Sequence, residues 1–388
     1  MLALAIALLA AAPAAPAGPR GAVDFTTYVA IGDGFTAGYQ DGALSERSQR
    51  LAYPVYVAAA ASTPVVVPLV GEPGLPTPNS ITGLGLLVQR PGTCAYGEFD
   101  LAGGRSPGRL DASLRATNLA VPFHRASDAV DARWSIDPDN PNDPDSFEDF
   151  VLGLPYAATG EREPSSQLET ALALEPTFVT VWLGPMDALL PAIGGEVTSD
   201  TLTPVNRFER SIDTVCDALA ARGARGAILN VPNATSTAML LSQKDLRRRT
   251  RLTTKQLKNR LGVFKSSYVP VTALPTVDRI ASGEANGPLD DEQILTKDEM
   301  ARLQTAIDGY NRALAAKARV LGWALVDVNE LFAGYERRGV EVAPVGRLTT
   351  RYLGGLWGLD GVHPSDTAQA LVAVAVISAI NEKYGLSL

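Results

Sequence analysis

Residues 28–42 read Y-V-A-I-G-D-G-F-T-A-G-Y-Q-D-G, and no other stretch restricts the fold of this chain as tightly. Tyr28, Val29, Ala30 and Ile31 form a short continuous apolar run, the composition of a parallel strand buried on both faces. Gly32, Gly34 and Gly38 follow at once and permit the sharp backbone turns that a side chain forbids. The same device recurs downstream. Pro176 to Leu183, P-T-F-V-T-V-W-L, delivers Gly184-Pro185-Met186-Asp187. A helical pattern from about Val205 to Arg222 leads into G-A-I-L-N-V-P at 226–232, and a second, Leu295 to Arg319, leads into W-A-L-V-D-V at 323–328. Strands alternating with helices in this way have the βαβ rhythm of a doubly wound sheet and predict an α/β fold.

The intervening segments fit that scheme. Pro54 in Ala52-Tyr53-Pro54-Val55-Tyr56-Val57 suits a first helical turn, and Thr63 to Val70 has the composition of a strand that would lie beside the first one. Thr296 with Glu299 makes a capping box, and Ser365 with Asp366 can cap a helix over Thr367 to Lys383. Gly71 to Gly108 is rich in Gly and Pro and too long for a simple connection, which predicts a lid or binding loop. Without a compositional break or an internal repeat, residues 24–388 read as one domain, with long loop insertions at about 71–108 and 137–165.

Composition removes several function classes. Among 388 residues the formal charge is −8, and no Lys/Arg face of the size nucleic acid requires is visible. The one basic cluster, Lys244 to Arg260, reads as a solvated helix face, with a phosphate or anionic-lipid contact as the other reading. Residues 1–17 are almost wholly Leu, Ala, Ile and Pro and end in Ala15-Pro16-Ala17, the pattern of a secretory signal peptide, so export to a periplasm or the exterior is expected. No later run is long and apolar enough to predict a transmembrane helix.

Metal and redox chemistry find little in the sequence. Cys94 and Cys216 could pair in an exported protein, although Cys216 lies in an apolar-periodic stretch and reads as a buried small hydrophobe. The two histidines, His124 and His363, have no zinc-like spacing to the cysteines. The acidic loop Asp137 to Asp149 has oxygens for calcium but departs from the EF-hand pattern at Pro141 and Asn142, so a solvated loop is expected. No metal and no cofactor is predicted.

Four blocks, in order along the chain, resemble those of the SGNH/GDSL hydrolases, a family of serine esterases and lipases. They are Gly32-Asp33-Gly34-Phe35-Thr36; Asn118-Leu119-Ala120-Val121-Pro122-Phe123; Gly184-Pro185-Met186-Asp187; and Asp360-Gly361-Val362-His363-Pro364. The resemblance implies a three-layer α/β/α sandwich around a central parallel, flavodoxin-like sheet, with the site at the carboxyl ends of the strands. It also implies roles: a nucleophile at position 34, oxyanion donors at 34, 123 and 186 within blocks that include Gly184, and His363 as a base oriented by Asp360. Three of these positions depart from the family. Gly34 stands in place of the nucleophilic serine, Phe123 in place of a glycine, and Met186 in place of an asparagine whose side chain donates to the oxyanion. A thioether cannot donate, and removing one oxyanion donor typically costs ~10²–10³ in rate.

An impaired or inactive esterase homologue with an apolar acyl- or lipid-binding site is therefore the expectation. The alternative is an ester hydrolase in which His363 and Asp360 activate water in the space left by Gly34. Thr36, the nearest hydroxyl, would point away from position 34 if the turn continues helically, and His124 reads as a surface or hydrogen-bonded loop residue rather than a catalytic one.

Overall fold

The computed structural model describes residues 23–71, 74–76, 80–81, 86–87, 108–136, 146–160 and 163–388. The expected signal peptide, Cys94, most of the Gly71–Gly108 loop and residues 137–145 of the acidic loop lie outside them.

Four parallel strands form the central sheet: β1 (Tyr28–Gly32), β2 (Phe178–Trp182), β3 (Arg225–Leu229) and β4 (Ala324–Val326), side by side in that order. Tyr28 pairs with Phe178 and Gly32 with Trp182, so the two central strands end level with each other. Every residue of both is buried, as expected of a strand covered on two faces.

Beyond β1 the sheet is extended by 117–121. Ala30 N–H donates to Thr117 O at 2.9 Å, Leu119 N–H to Ala30 O at 2.9 Å, and Val121 N–H to Gly32 O at 3.1 Å. This departs from expectation, because Thr63–Val70 does not border β1. Its Val66 carbonyl instead accepts from Thr117 and Asn118 on the far side of that segment. The spatial order, with 117–121 counted second in the chain, is 2-1-3-4-5. That order reverses direction at β1, which opens a crevice at the carboxyl ends of β1 and β2.

Helices cover both faces. They are α1 (Gly34–Ala37), α2 (Tyr53–Ala60), α3 (Gln167–Ala173), α4 (Pro185–Ile193), α5 (Val205–Ala221), α6 (Gln243–Thr250), α7 (Lys297–Leu321), α8 (Val328–Arg338) and α9 (Asp366–Tyr384). On one face α9 lies on β3 and β4 and packs against α2; on the other α7 lies on the same strands and packs against α5, which meets α3. Phe208, Ile212, Val215, Cys216 and Leu219 give α5 a helical apolar stripe that is wholly buried. The predicted caps form: Thr296 and Glu299 close a capping box on α7, and the Ser365 side chain accepts from Ala368 N–H on α9.

Between β3 and α7 the chain builds a second, smaller apolar cluster, in which Leu246, Leu257, Leu261, Val269 and Val277 are buried together. Two short strands, β5 (Val340–Val342) and β6 (Gly346–Leu348), pair as a hairpin after α8. Among the described residues, no helix is long and apolar enough to cross a membrane.

Candidate active site

At the carboxyl end of β1 the chain turns at Asp33 into α1, a single helical turn. The Asp33 carboxylate caps it by accepting from Phe35 N–H at 2.9 Å, and Gly38, at φ 80°, closes it with an N–H to Gly34 O. Burial drives the Asp33 pKa well above its ordinary value, against the opposing pull of the Phe35 and Met186 N–H groups. Two buried amides hold the turn from outside: Asn118 Nδ2 donates to Thr36 O at 3.1 Å, and Gln369 Nε2 to Phe35 O at 2.8 Å. This fixes Gly34, itself buried, at the carboxyl end of β1.

The last block arrives from the other end of the chain. Asp360 is fully enclosed and accepts from Val362 N–H at 2.8 Å, His363 N–H at 2.9 Å, Gly42 N–H at 3.3 Å and His363 Nδ1 at 3.0 Å. Burial raises the pKa of this carboxyl, but the His363 imidazole and the neighbouring N–H groups outweigh it, and the net result lies below the ordinary value. An ionised carboxylate only accepts, so the hydrogen of the Nδ1 contact belongs to the imidazole. Asp360 and His363 thus meet at 3.0 Å, and the imidazole Nε2 is aimed at position 34.

That Nε2 has nothing to act on. It is buried without a hydrogen-bond partner, and a Cβ added at Gly34 would lie 2.5 Å from it and 2.9 Å from Cδ2. Real Cβ atoms do not approach so closely, so the imidazole itself occupies the volume a serine side chain would need. This corrects the expectation that Gly34 leaves room for an attacking water. Thr36, whose hydroxyl lies against Gly32 rather than toward His363, offers no substitute.

Aromatic rings hold the imidazole there. Tyr39, Phe35 and Phe123 lie 4.7, 5.3 and 6.0 Å from it between centroids. Phe147 completes the cluster 6.0 Å from both Tyr39 and Phe123. Phe123 combines two features that rarely coexist. Its backbone is left-handed, at φ 68°, the conformation a glycine adopts freely and other L-residues adopt at a cost of about 1–2 kcal/mol. Its side chain is nevertheless large and buried, in contact range of the base.

The other expected site residues divide. Met186, in the first turn of α4, is fully buried, with its backbone N–H acting on Asp33. Gly184 serves the turn: it sits at φ 119°, and a Cβ there would lie 2.7 Å from Val231 Cγ2 and 3.0 Å from the Phe208 ring. His124 is neither catalytic in placement nor exposed, since its Nε2 meets Glu148 Oε1 at 2.9 Å inside the protein. Cys216 is buried in α5, which pushes its thiol up to about 12. Among the described residues no cluster of His, Cys, Asp and Glu could hold a metal.

Tyr39, Phe147 and Gly42 were missed in the sequence, because a single aromatic outside a long periodic element carries no pattern and Gly42 acts through its backbone. Asp187, by contrast, stands in the third block. It accepts from Ala126 N–H at 2.9 Å, and burial raises its pKa to about 6 against the pull of Thr203, the Ala126 N–H and Arg125.

Comparison with family models and with curated proteins gives no match. Among solved structures the chain is similar to an acetylxylan esterase from Geobacillus stearothermophilus, at 11% identity and a TM-score of 0.40 over 93% of this chain and 94% of that one. It is similar to an α/β hydrolase from the metagenome of Lake Arreo, Spain, at 12% identity and a TM-score of 0.39 over 91% and 93%. A lipolytic protein of the G-D-S-L family from Desulfitobacterium hafniense is similar at 11% identity and a TM-score of 0.37 over 91% and 99%. Likeness at this distance transfers no activity to the chain.

Proposed function

We propose that this protein is an exported SGNH/GDSL-type α/β protein that no longer performs acyl transfer. One observation carries the reading: the His363 Nε2 lies 2.5 Å from where a nucleophile's Cβ would be, too close for the two to coexist without a shift of the ring. Losing a triad nucleophile costs about 10⁶ in turnover in serine enzymes, and a closed ring cage adds to that loss. The ligand class that suits the remaining lining is an acyl chain or another lipid-like molecule, entering on rotation of Phe123 and Phe147.

A hydrolase reading is favoured only by the intact 3.0 Å His363–Asp360 contact. Hydrolysis of p-nitrophenyl esters of short and long acyl chains by the wild type, Gly34→Ser and His363→Ala separates the two. We expect no turnover above background in the wild type, and none on Gly34→Ser alone, because the ring must first move. Wild-type turnover that His363→Ala abolishes would overturn the proposal. For the ligand, an acyl chain that binds should raise the melting temperature; lipid extraction of natively purified protein that yields nothing, with no acyl-dependent shift, would remove that part.

A further inference from the structure

The basic cluster noted in the sequence is divided by the fold. Lys244, Arg248 and Arg249 on α6 face a cavity of about 770 Å³, whereas Arg247, Arg251 and Lys255 do not line it. Across the cavity stand Arg337 and Arg338 at the end of α8, Arg347 on β6, and Arg351 in the following loop. Among the described residues the carboxylates on the wall are Asp245 and Glu336. In a chain of net charge −8 this is a local reversal of sign.

Folding does not account for it. Helix dipoles favour cations in a last turn, which explains Arg248 and Arg249 on α6 and Arg337 and Arg338 on α8. They explain neither Lys244, in the first turn of α6, nor Arg347 and Arg351, which lie outside helices. Ion pairing is also incomplete. Arg248 meets Asp245 at 3.3 Å, Arg249 meets Asp278 at 2.8 and 2.5 Å, Arg337 pairs with Glu330, and Arg347 donates to the Arg338 carbonyl. Glu336 accepts from Ser236 Oγ. The side chains of Lys244, Arg338 and Arg351 have no ion pair or hydrogen bond among the described residues.

A second kind of donor points into the same place. The Tyr352 hydroxyl lines the cavity and is buried without a hydrogen-bond partner. Burial raises its pKa above the ordinary value, with Asp360 and Asp41 acting in the same direction and Arg249 against it. An unpaired buried donor beside uncompensated guanidinium groups fits an oxyanion, which guanidinium binds through paired N–H groups. The volume is that of a small-molecule site.

We propose that this cavity binds a phosphate-bearing anion, held by Lys244, Arg338, Arg351 and the Tyr352 hydroxyl. The source of the phosphate is either a soluble phosphate ester or a lipid headgroup. The proposal does not depend on whether the dyad is active.

The test is calorimetric titration with inorganic pyrophosphate, alongside co-sedimentation with phosphatidylcholine vesicles made with and without phosphatidylglycerol. Wild type is compared with Arg338→Gln/Arg351→Gln, with Tyr352→Phe, and with Arg247→Gln/Arg251→Gln as a charge-matched control outside the cavity. Pyrophosphate binding that weakens at least about tenfold in Arg338→Gln/Arg351→Gln and about threefold or more in Tyr352→Phe, but is unchanged in the control, supports a soluble ligand. Phosphatidylglycerol-dependent sedimentation with the same variant pattern, and no pyrophosphate binding, assigns the site to a headgroup. Absence of both, or equal loss in the control pair, overturns the proposal.

Discussion

Two polar centres flank Tyr352 and are built on opposite terms. Around His363 the polar atoms are matched to one another and shut in by rings: Asp360 receives four donors, and of the dyad's polar atoms Nε2 alone is left without a partner. Around Arg351 the charges are gathered, exposed and incompletely paired. Burying a charge is tolerable only when it is partnered, so the first centre is bound up with folding. Like charges held together with no partner add nothing to folding, so the second is maintained at the expense of stability. Stability and binding should therefore separate cleanly between them.

The largest effect expected is at Asp360. Asp360→Ala strips the acceptor from three buried backbone N–H groups and an imidazole, and should lower unfolding free energy by on the order of 4 kcal/mol or more in urea titration. A loss near zero would break the comparison. Phe123→Gly comes next. It relieves the left-handed strain but removes a buried ring, a loss of about 3–5 kcal/mol partly offset by about 1, so net destabilisation of about 2–4 kcal/mol is expected from the same measurement.

Within the buried half, pH distinguishes two carboxylates. Asp360 has a lowered pKa, so its contribution is present above its ordinary pKa and fades as pH falls through the lowered one. Asp187 has the opposite sign: with a folded pKa of about 6 against 3.8, the folded state holds the proton more tightly, and stability declines as pH rises between those values. The decline is roughly 3 kcal/mol, and Asp187→Asn should flatten it in a pH series of denaturation midpoints. Smallest is the change at the cavity: Arg338→Gln/Arg351→Gln should alter stability by no more than about 0.5 kcal/mol in either direction, even where it abolishes anion binding.

Much of the scaffold was legible in the sequence because its signals are local. Apolar runs ending in glycine marked β1 and β2, and the Thr296–Glu299 and Ser365 caps marked where α7 and α9 begin. Asn118-Leu119-Ala120-Val121 was visible as a block but not as the strand segment beside β1, since Thr63–Val70 has the stronger strand composition and only tertiary pairing decides between them. At the site, the resemblance of the last block pointed to Asp360 and His363, which do meet at 3.0 Å. The sequence did not show how close the imidazole lies to position 34, because its place depends on Tyr39 and Phe123, which reach it from separate segments. The cavity was hidden for the same reason: Lys244 and Arg351 share a wall only after α6 and the hairpin loop are folded against each other.

The four donors converging on Asp360 carry one more implication. Gly42 belongs to the segment after α1, whereas Val362 and His363 belong to the entry to α9, so this single carboxylate ties the two ends of the chain together. A D-x-x-H signature at such a place would be retained by architecture even in a lineage that had abandoned hydrolysis altogether. Its presence in a chain of this kind is accounted for by the backbone contacts it makes between Gly42 and the entry to α9.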